Sequence, residues 1–224
     1  MLEIACFNAP SAVAAANAGA DRIELCADYA AGGLTPSLAA LQQLRTAAAW
    51  VAVHVMIRPR PGDFAYSAAE FAQMKAAIRL FQPHADGFVF GVLDGGRCVD
   101  AARNQELVAL AAPRPCTFHR AFDQTPSLSE AARQLVGCGF ASILTSGGQA
   151  DAVAGADCVA QLQRSTWGTK VSFILGGGVR SSNAARLKSQ AKVQWYHSAA
   201  ITRPGEHVDE EEVARLRHVL SQPG

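Results

Sequence analysis

The chain has no uninterrupted apolar run approaching the ~20 residues of a helical bilayer span, so a membrane-crossing role is not expected. It has no CxxC pair, which argues against zinc ribbons and thioredoxin-type redox chemistry, and no Met-rich segment suited to a soft metal. Charge of one sign is also missing. Twenty Lys and Arg against 19 Asp and Glu leave a net charge of +1 without a basic cluster, which argues against nucleic acid and anionic membranes as partners. No Pro/Ser-rich linker or shift in composition divides the 224 residues. One domain over 1–224 is therefore expected, with only the last few residues, from about Ser221, fraying. The opening MLEIACFNAP lacks a basic stretch and runs directly into a strand-like segment, unlike a signal peptide, so a cytoplasmic location is expected. The six cysteines (Cys6, Cys26, Cys98, Cys116, Cys138 and Cys158) are scattered and read as free thiols. Cys138 and Cys158 fall in helix-like segments as small core residues.

What is present is a rhythm. Eight short apolar runs end abruptly in polar or glycine-rich residues, and most are followed by an amphipathic, alanine-rich stretch. The predicted strands are Leu2 to Cys6, Arg22 to Cys26, Val51 to Ile57, Gly87 to Val92, Cys116 to Arg120, Ser142 to Thr145, Val171 to Leu175 and Trp195 to Ser198. Ser67-Ala-Ala-Glu70 and Ser127-Leu-Ser-Glu130 have capping-box spacing, and Thr35-Pro36-Ser37 reads as a helix start with Pro36 near the first turn. Alternating strands and helices imply a parallel α/β fold. Eight units favour a single-domain TIM-type (β/α)8 barrel over a flavodoxin-like sheet, which needs only about five strands.

Strand residues alternate between the barrel axis and the helices. In the second strand Ile23 and Leu25 share one face while Arg22, Glu24 and Cys26 share the other. The apolar face belongs under the helices, so Glu24 and Cys26 point inward. The same reasoning turns Glu3 inward from the first strand, His54, Met56 and Arg58 from the third, and His119 from the fifth if Phe118 faces the helices. His197 stands at the end of the eighth. Burying so many ionisable groups unpaired would cost several kcal/mol each, so they form a network or meet ligand and water. For Glu3 a bracing ion pair and a ligand role are equally open.

The strand ends are where parallel barrels bind ligands. Arg58, Arg60 and Asp63, past the third strand, are candidate ligand-binding residues. TFHRAFD places His119, Arg120 and Asp123 within five residues: an imidazole that can move protons, a fixed cation and a carboxylate that can orient the ring. Alternatively, Arg120 and Asp123 only hold the rim. Thr145 and Ser146 end the sixth strand in ILTSGG. Gly176, Gly177 and Gly178 follow the seventh, where glycines let backbone N–H groups approach a phosphate or carboxylate, although a tight turn also needs glycine.

With GADRIELC, GGLTPS, MIRPRPGDFAYS, TFHRAFD, LTSGG and GGGV in order, the chain resembles the CutC family from Leu2 to about Ala200. The resemblance implies a TIM-type barrel, a cytoplasmic homo-oligomer, most simply a dimer, and a role in copper homeostasis with copper(I) binding. Copper(I) prefers thiolate and thioether ligands. The family's first strand often reads LEICC or MEVC, whereas here Ala5 takes the place of the first cysteine. Cys26 matches the family's ELC motif and, with His119 or His197 as nitrogen partner, is the leading metal candidate. Cys6 substitutes for the missing thiol only if its strand twists or ends there. The family's longer loop before the last helix is shortened here to Ile201 to His207, which makes His207 a surface residue.

Three functions are open on these residues. The family resemblance leads to copper(I) handling at the barrel mouth through Cys26 and Cys6. The rim chemistry alone points instead to an enzyme acting on a small phosphorylated or carboxylated metabolite, with Glu24, His119 and Asp123 as catalytic candidates. Glu3, His54, Arg58, Arg60, Asp63, Arg120, Thr145, Ser146, Gly176, Gly177, Gly178 and His197 would then bind the ligand. A regulatory barrel without activity is the third.

Overall fold

All eight predicted runs form strands in the computed structural model, which describes residues 1–166 and 168–222. β1 (Leu2–Cys6), β2 (Arg22–Leu25), β3 (Ala52–Met56), β4 (Gly87–Phe90), β5 (Cys116–Phe118), β6 (Ser142–Thr145), β7 (Ser172–Leu175) and β8 (Trp195–Ser198) pair in chain order. Every pairing is parallel and β8 closes on β1, so the sheet is a barrel and the open flavodoxin-like alternative is excluded. The helices α1 (Ala9–Asn17), α2 (Leu38–Ala47), α3 (Ala68–Phe81), α4 (Ala101–Ala111), α5 (Leu128–Cys138), α6 (Ala152–Ser165), α7 (Ser181–Ala191) and α8 (Glu210–Ser221) alternate with the strands. This is a TIM-type (β/α)8 barrel.

Several sequence-based boundaries shift. Arg120, read as the end of a strand, instead opens a 3-10 turn over Arg120–Gln124 that is capped by His119. Pro36 lies outside α2, because Ser37 is the cap and the helix begins at Leu38. The box at Ser67 and Glu70 is complete. At the second site Ser127 accepts the Glu130 N–H, but the Glu130 carboxylate turns to Arg133 and Gln134. Ser221, expected to fray, ends α8; residues 223 and 224 of that tail lie outside the described residues.

Register decides which polar groups meet. Glu3 stands beside Arg22 on one side and His197 on the other, Ala5 beside Glu24, and Glu24 beside His54. Partners in a parallel sheet project to the same side, so the inward residues of β1, β2, β3 and β8 become neighbours around the axis. The alternate residues, Ile4, Cys6, Ile23, Leu25, Val53, Val55, Phe88, Phe90 and Phe118, are fully buried in the layer beneath the helices. Burying each large apolar side chain there contributes about 1.5–3 kcal/mol. Cys138 is buried in this layer, whereas Cys158 is only half-buried.

Candidate active site at the barrel mouth

A pocket of ≈570 Å³, counting the open space at its mouth, sits at the carboxyl ends of the strands. Glu24 and Cys26 reach it from β2 and the residues after it, Met56 from β3 and Arg58 from the loop beyond, His119 and Arg120 from the turn that follows β5, Leu144 from β6 and His197 from β8. Ala5, Phe7, Phe64 and Ala199 complete most of the wall.

The β1, β2 and β8 side carries a continuous charged network. Glu3, 1% exposed, receives the Arg22 Nε at 2.6 Å and faces the His197 Nδ1 at 2.7 Å. Burial would raise the Glu3 pKa, but Arg22 and His197 outweigh it and hold it at about 2. The His197 Nε2 lies 3.6 Å from the Glu24 carboxylate. Burial would lower His197, yet Glu24 and the bond to Glu3 carry its pKa upward. Glu24 itself is pushed up to about 7, first by burial and then by Glu3, against the opposing pull of His197. The network therefore joins a permanently ionised carboxylate to one that exchanges its proton near neutrality.

Across the pocket His119 is held differently. Its Nδ1 accepts the Ala121 N–H at 3.3 Å, and its ring packs on Phe64 with centroids 4.7 Å apart. The close approach requires glycine at position 91, where a Cβ would lie 2.8 Å from the His119 Nδ1. Burial, then the neighbouring Arg58, lower its pKa to about 3, so the ring is neutral.

Arg58 is 7% exposed and donates through Nη1 to the carbonyls of Ala31 and Gly33 at 2.9 and 3.2 Å. Its Nη2 donates to the Gly62 carbonyl at 3.2 Å, so the guanidinium ties the loop after β2 to the loop after β3. Among the described residues no carboxylate forms an ion pair with it. Buried polar atoms without a hydrogen-bond partner include Glu24 Oε1, Arg58 Nε and His119 Nε2, all on residues that line this pocket. Such atoms carry a desolvation cost that a bound ligand would relieve.

The remaining sequence candidates divide into supports and outliers. His54 is buried away from the pocket wall against Gly87, and burial lowers its pKa to about 4. Asp123 accepts the Ser146 and Gly148 N–H groups and the hydroxyls of Thr145 and Ser146, and it pairs with Arg120 at 2.9 Å. Asp123, Thr145 and Ser146 thus bind one another and shape the rim without lining the pocket. Gly177, with a left-handed φ of 99°, lets the chain pass Arg120, whose Cζ would be 3.4 Å from an added Cβ. Gly176 and Gly178 flank it outside the pocket wall. Arg60 pairs with Asp63 at 2.8 Å and Glu70 at 2.6 Å on the exposed rim, clear of the pocket. The Cys6 side chain belongs to the layer under the helices, not to the pocket. Phe7 and Phe64 were missed because loop aromatics have no pleat to orient them. Met56, read only as inward-facing, packs with Cys26, Val89 and Phe7.

A model of the CutC family matches residues 1–202. The chain belongs to the CutC family. A CutC family protein of Citrobacter koseri is 44% identical over 201 residues, covering 89% of this chain and 79% of the relative. One from Edwardsiella ictaluri is 44% identical over 200 residues, covering 89% and 78%. The structure of a Streptococcus agalactiae CutC, provisionally named for copper homeostasis, superposes with a TM-score of 0.81 at 28% identity, covering 89% of this chain and 98% of that one.

The CutC fold raises the question of copper, and the donor set here does not fit a two-thiolate site. Position 5 faces the pocket as alanine, and Cys6 points the other way. Among the described residues no group of three or more His, Cys, Asp or Glu is arranged to hold a metal ion. Cys26 remains as one thiol with the Met56 thioether beside it, and burial, reinforced by Glu24, raises its pKa well above the ordinary thiol range. No helix among the described residues is long and apolar enough to cross a membrane.

Proposed function

We propose that this CutC family member is an acid–base enzyme acting on a small anionic metabolite, with Glu24 as the group that moves the proton. The observation that carries this reading is the buried Glu24 carboxyl, with Oε2 3.6 Å from His197 and Oε1 unpartnered on a residue of the pocket wall. His197, anchored by Glu3, orients Glu24 and stabilises its ionised form. The uncompensated Arg58 charge favours an anionic ligand, and Arg120 offers a second cation at the mouth. The test is a panel of phosphorylated and carboxylated metabolites screened for thermal stabilisation, since a ligand at 100 times its Kd adds about 2.7 kcal/mol. A hit is then assayed for turnover with the native protein and Glu24→Gln. A ligand converted equally well by both would overturn the role of Glu24.

The Cys26 and Met56 pair favours a second reading, copper(I) as cargo held by one thiol and one thioether. An anaerobic copper(I) titration against a competing chelator separates the two. Stoichiometric binding lost in both Cys26→Ser and Met56→Leu supports copper handling; binding unchanged in both removes it. A cytoplasmic location belongs to either reading and is supported by six free cysteines. The homodimer that the family resemblance implies is checked by sedimentation.

A further inference from the structure

We propose that His119 is a hydrogen-bond donor fixed in a single tautomer, which polarises a carbonyl oxygen of the substrate through Nε2–H, so that the pocket takes a small carbonyl compound carrying an anionic group. The proposal rests on the acid–base reading of Glu24 and names the substrate class for that site. It differs from the role that the TFHRAFD motif suggests, in which the imidazole moves protons.

The geometry assigns the proton. A neutral imidazole has one N–H and one lone-pair nitrogen. The Ala121 N–H points at Nδ1 from 3.3 Å, at the start of the 3-10 turn that His119 caps, so Nδ1 supplies the lone pair and Nε2 carries the hydrogen. Gly91 and Phe64 pack on the ring and hold its plane. Nε2 has no protein acceptor, although the side chain is 4% exposed and lines the pocket. A buried N–H left over in this way awaits an oxygen. Arg58 Nε is a second donor without a partner on the same wall. Both orphans call for acceptors, whereas Glu24 Oε1 can take a proton, and the three together match a carbonyl with an acidic C–H beside it and a negative charge nearby.

The chemistry balances without a further reactant. The Glu24 carboxylate takes the proton from the carbon next to the carbonyl, and the C–H electron pair becomes a C=C bond. The former C=O π pair moves onto oxygen, where the His119 Nε2–H stabilises the enolate by hydrogen bonding and keeps its own proton. Glu24 then returns a proton to carbon. A neutral donor is suited to this task because its N–H is not transferred as charge develops on oxygen.

Two measurements test this. The first is long-range ¹H–¹⁵N correlation of the His119 ring in the native protein at pH 7, with His119→Gln used to assign the signals. A pyrrole-like Nε2 and a pyridine-like Nδ1 are expected; a protonated Nδ1 would overturn the proposal whatever the activity. The second follows exchange of the α-protons of pyruvate and dihydroxyacetone phosphate in D₂O by NMR. Native protein should exchange one of them, and Glu24→Gln should lose exchange by on the order of 10²–10⁴-fold. His119→Gln, whose amide keeps a donor near Nε2, should retain more exchange than His119→Ala. Exchange abolished equally in His119→Gln and His119→Ala but retained in Glu24→Gln would make His119 the base and overturn the proposal. No exchange by native protein with either probe counts against the carbonyl class and the Glu24 reading while the tautomer result still judges His119 itself.

Discussion

Two imidazoles face the same pocket with their pKa values moved in opposite directions. His197 lies between Glu3 and Glu24, and its pKa is raised; His119 has Arg58 for a neighbour, and its pKa falls to about 3. Desolvation acts on both rings in the same direction, and the nearest charges set them apart. One barrel thereby holds a proton-exchanging side, built from β1, β2 and β8, and a neutral donor side, built from β5.

The contrast breaks most severely if the charged side loses its anchor. Arg22→Met leaves Glu3 ionised and buried beside His197 alone, and should cost about 3–5 kcal/mol in urea denaturation at pH 7. A cost below about 1 kcal/mol would mean that Glu3 is relieved by water or by its own protonation.

Glu24 gives the next largest effect. Its folded pKa of about 7 lies above its ordinary value, so it takes up protons on folding and the native protein loses stability as pH rises from the usual carboxylate range through 7. Glu24→Gln removes that loss and should gain about 2–3 kcal/mol relative to native on going from pH 5 to pH 8, because a tenfold difference in proton affinity between the folded and unfolded chain is worth about 1.4 kcal/mol. Parallel pH profiles for the two proteins would refute the raised value.

The two imidazoles with lowered pKa predict the opposite slope. His119 and His54, lowered to about 3 and about 4, resist protonation when folded. Below about pH 6.5 the unfolded chain binds these protons first, so stability falls on acidification, by about 1.4 kcal/mol for each ring with every tenfold rise in proton concentration, until the folded values are reached. His54→Gln should flatten this slope by one proton in denaturation curves taken between pH 6.5 and 4.5.

The smallest effect lies outside both halves. Asp63→Asn removes an exposed partner of Arg60, which keeps Glu70, and should leave both the urea denaturation midpoint and ligand binding unchanged. A large change in binding would return the Arg60 rim to the site.

The pleat made Glu3, Glu24, His54 and His119 legible as inward residues, because a two-residue period admits one apolar face. It also set Cys26 and Cys6 on opposite faces. The rim was less readable. Arg58 and Arg60 looked alike in IRPRPGDF, yet Arg58 is buried as a tie between two loops while Arg60 pairs at the surface. Their partners, the carbonyls of Ala31, Gly33 and Gly62 and the carboxylate of Glu70, are fixed by loop paths that no local pattern encodes.

The sequence by itself determined the number of strands, their order of appearance, the faces of the first three and the absence of a second thiol at position 5. Those properties are local, set by periodicity and residue type. The tertiary structure alone decided that His197 meets two carboxylates, that the Ala121 N–H occupies the His119 Nδ1, and that Glu24 Oε1, Arg58 Nε and His119 Nε2 are left without partners in one pocket. Protonation depends on distances of a few ångströms between residues as far apart in the chain as Glu3 and His197, and only barrel closure sets those distances.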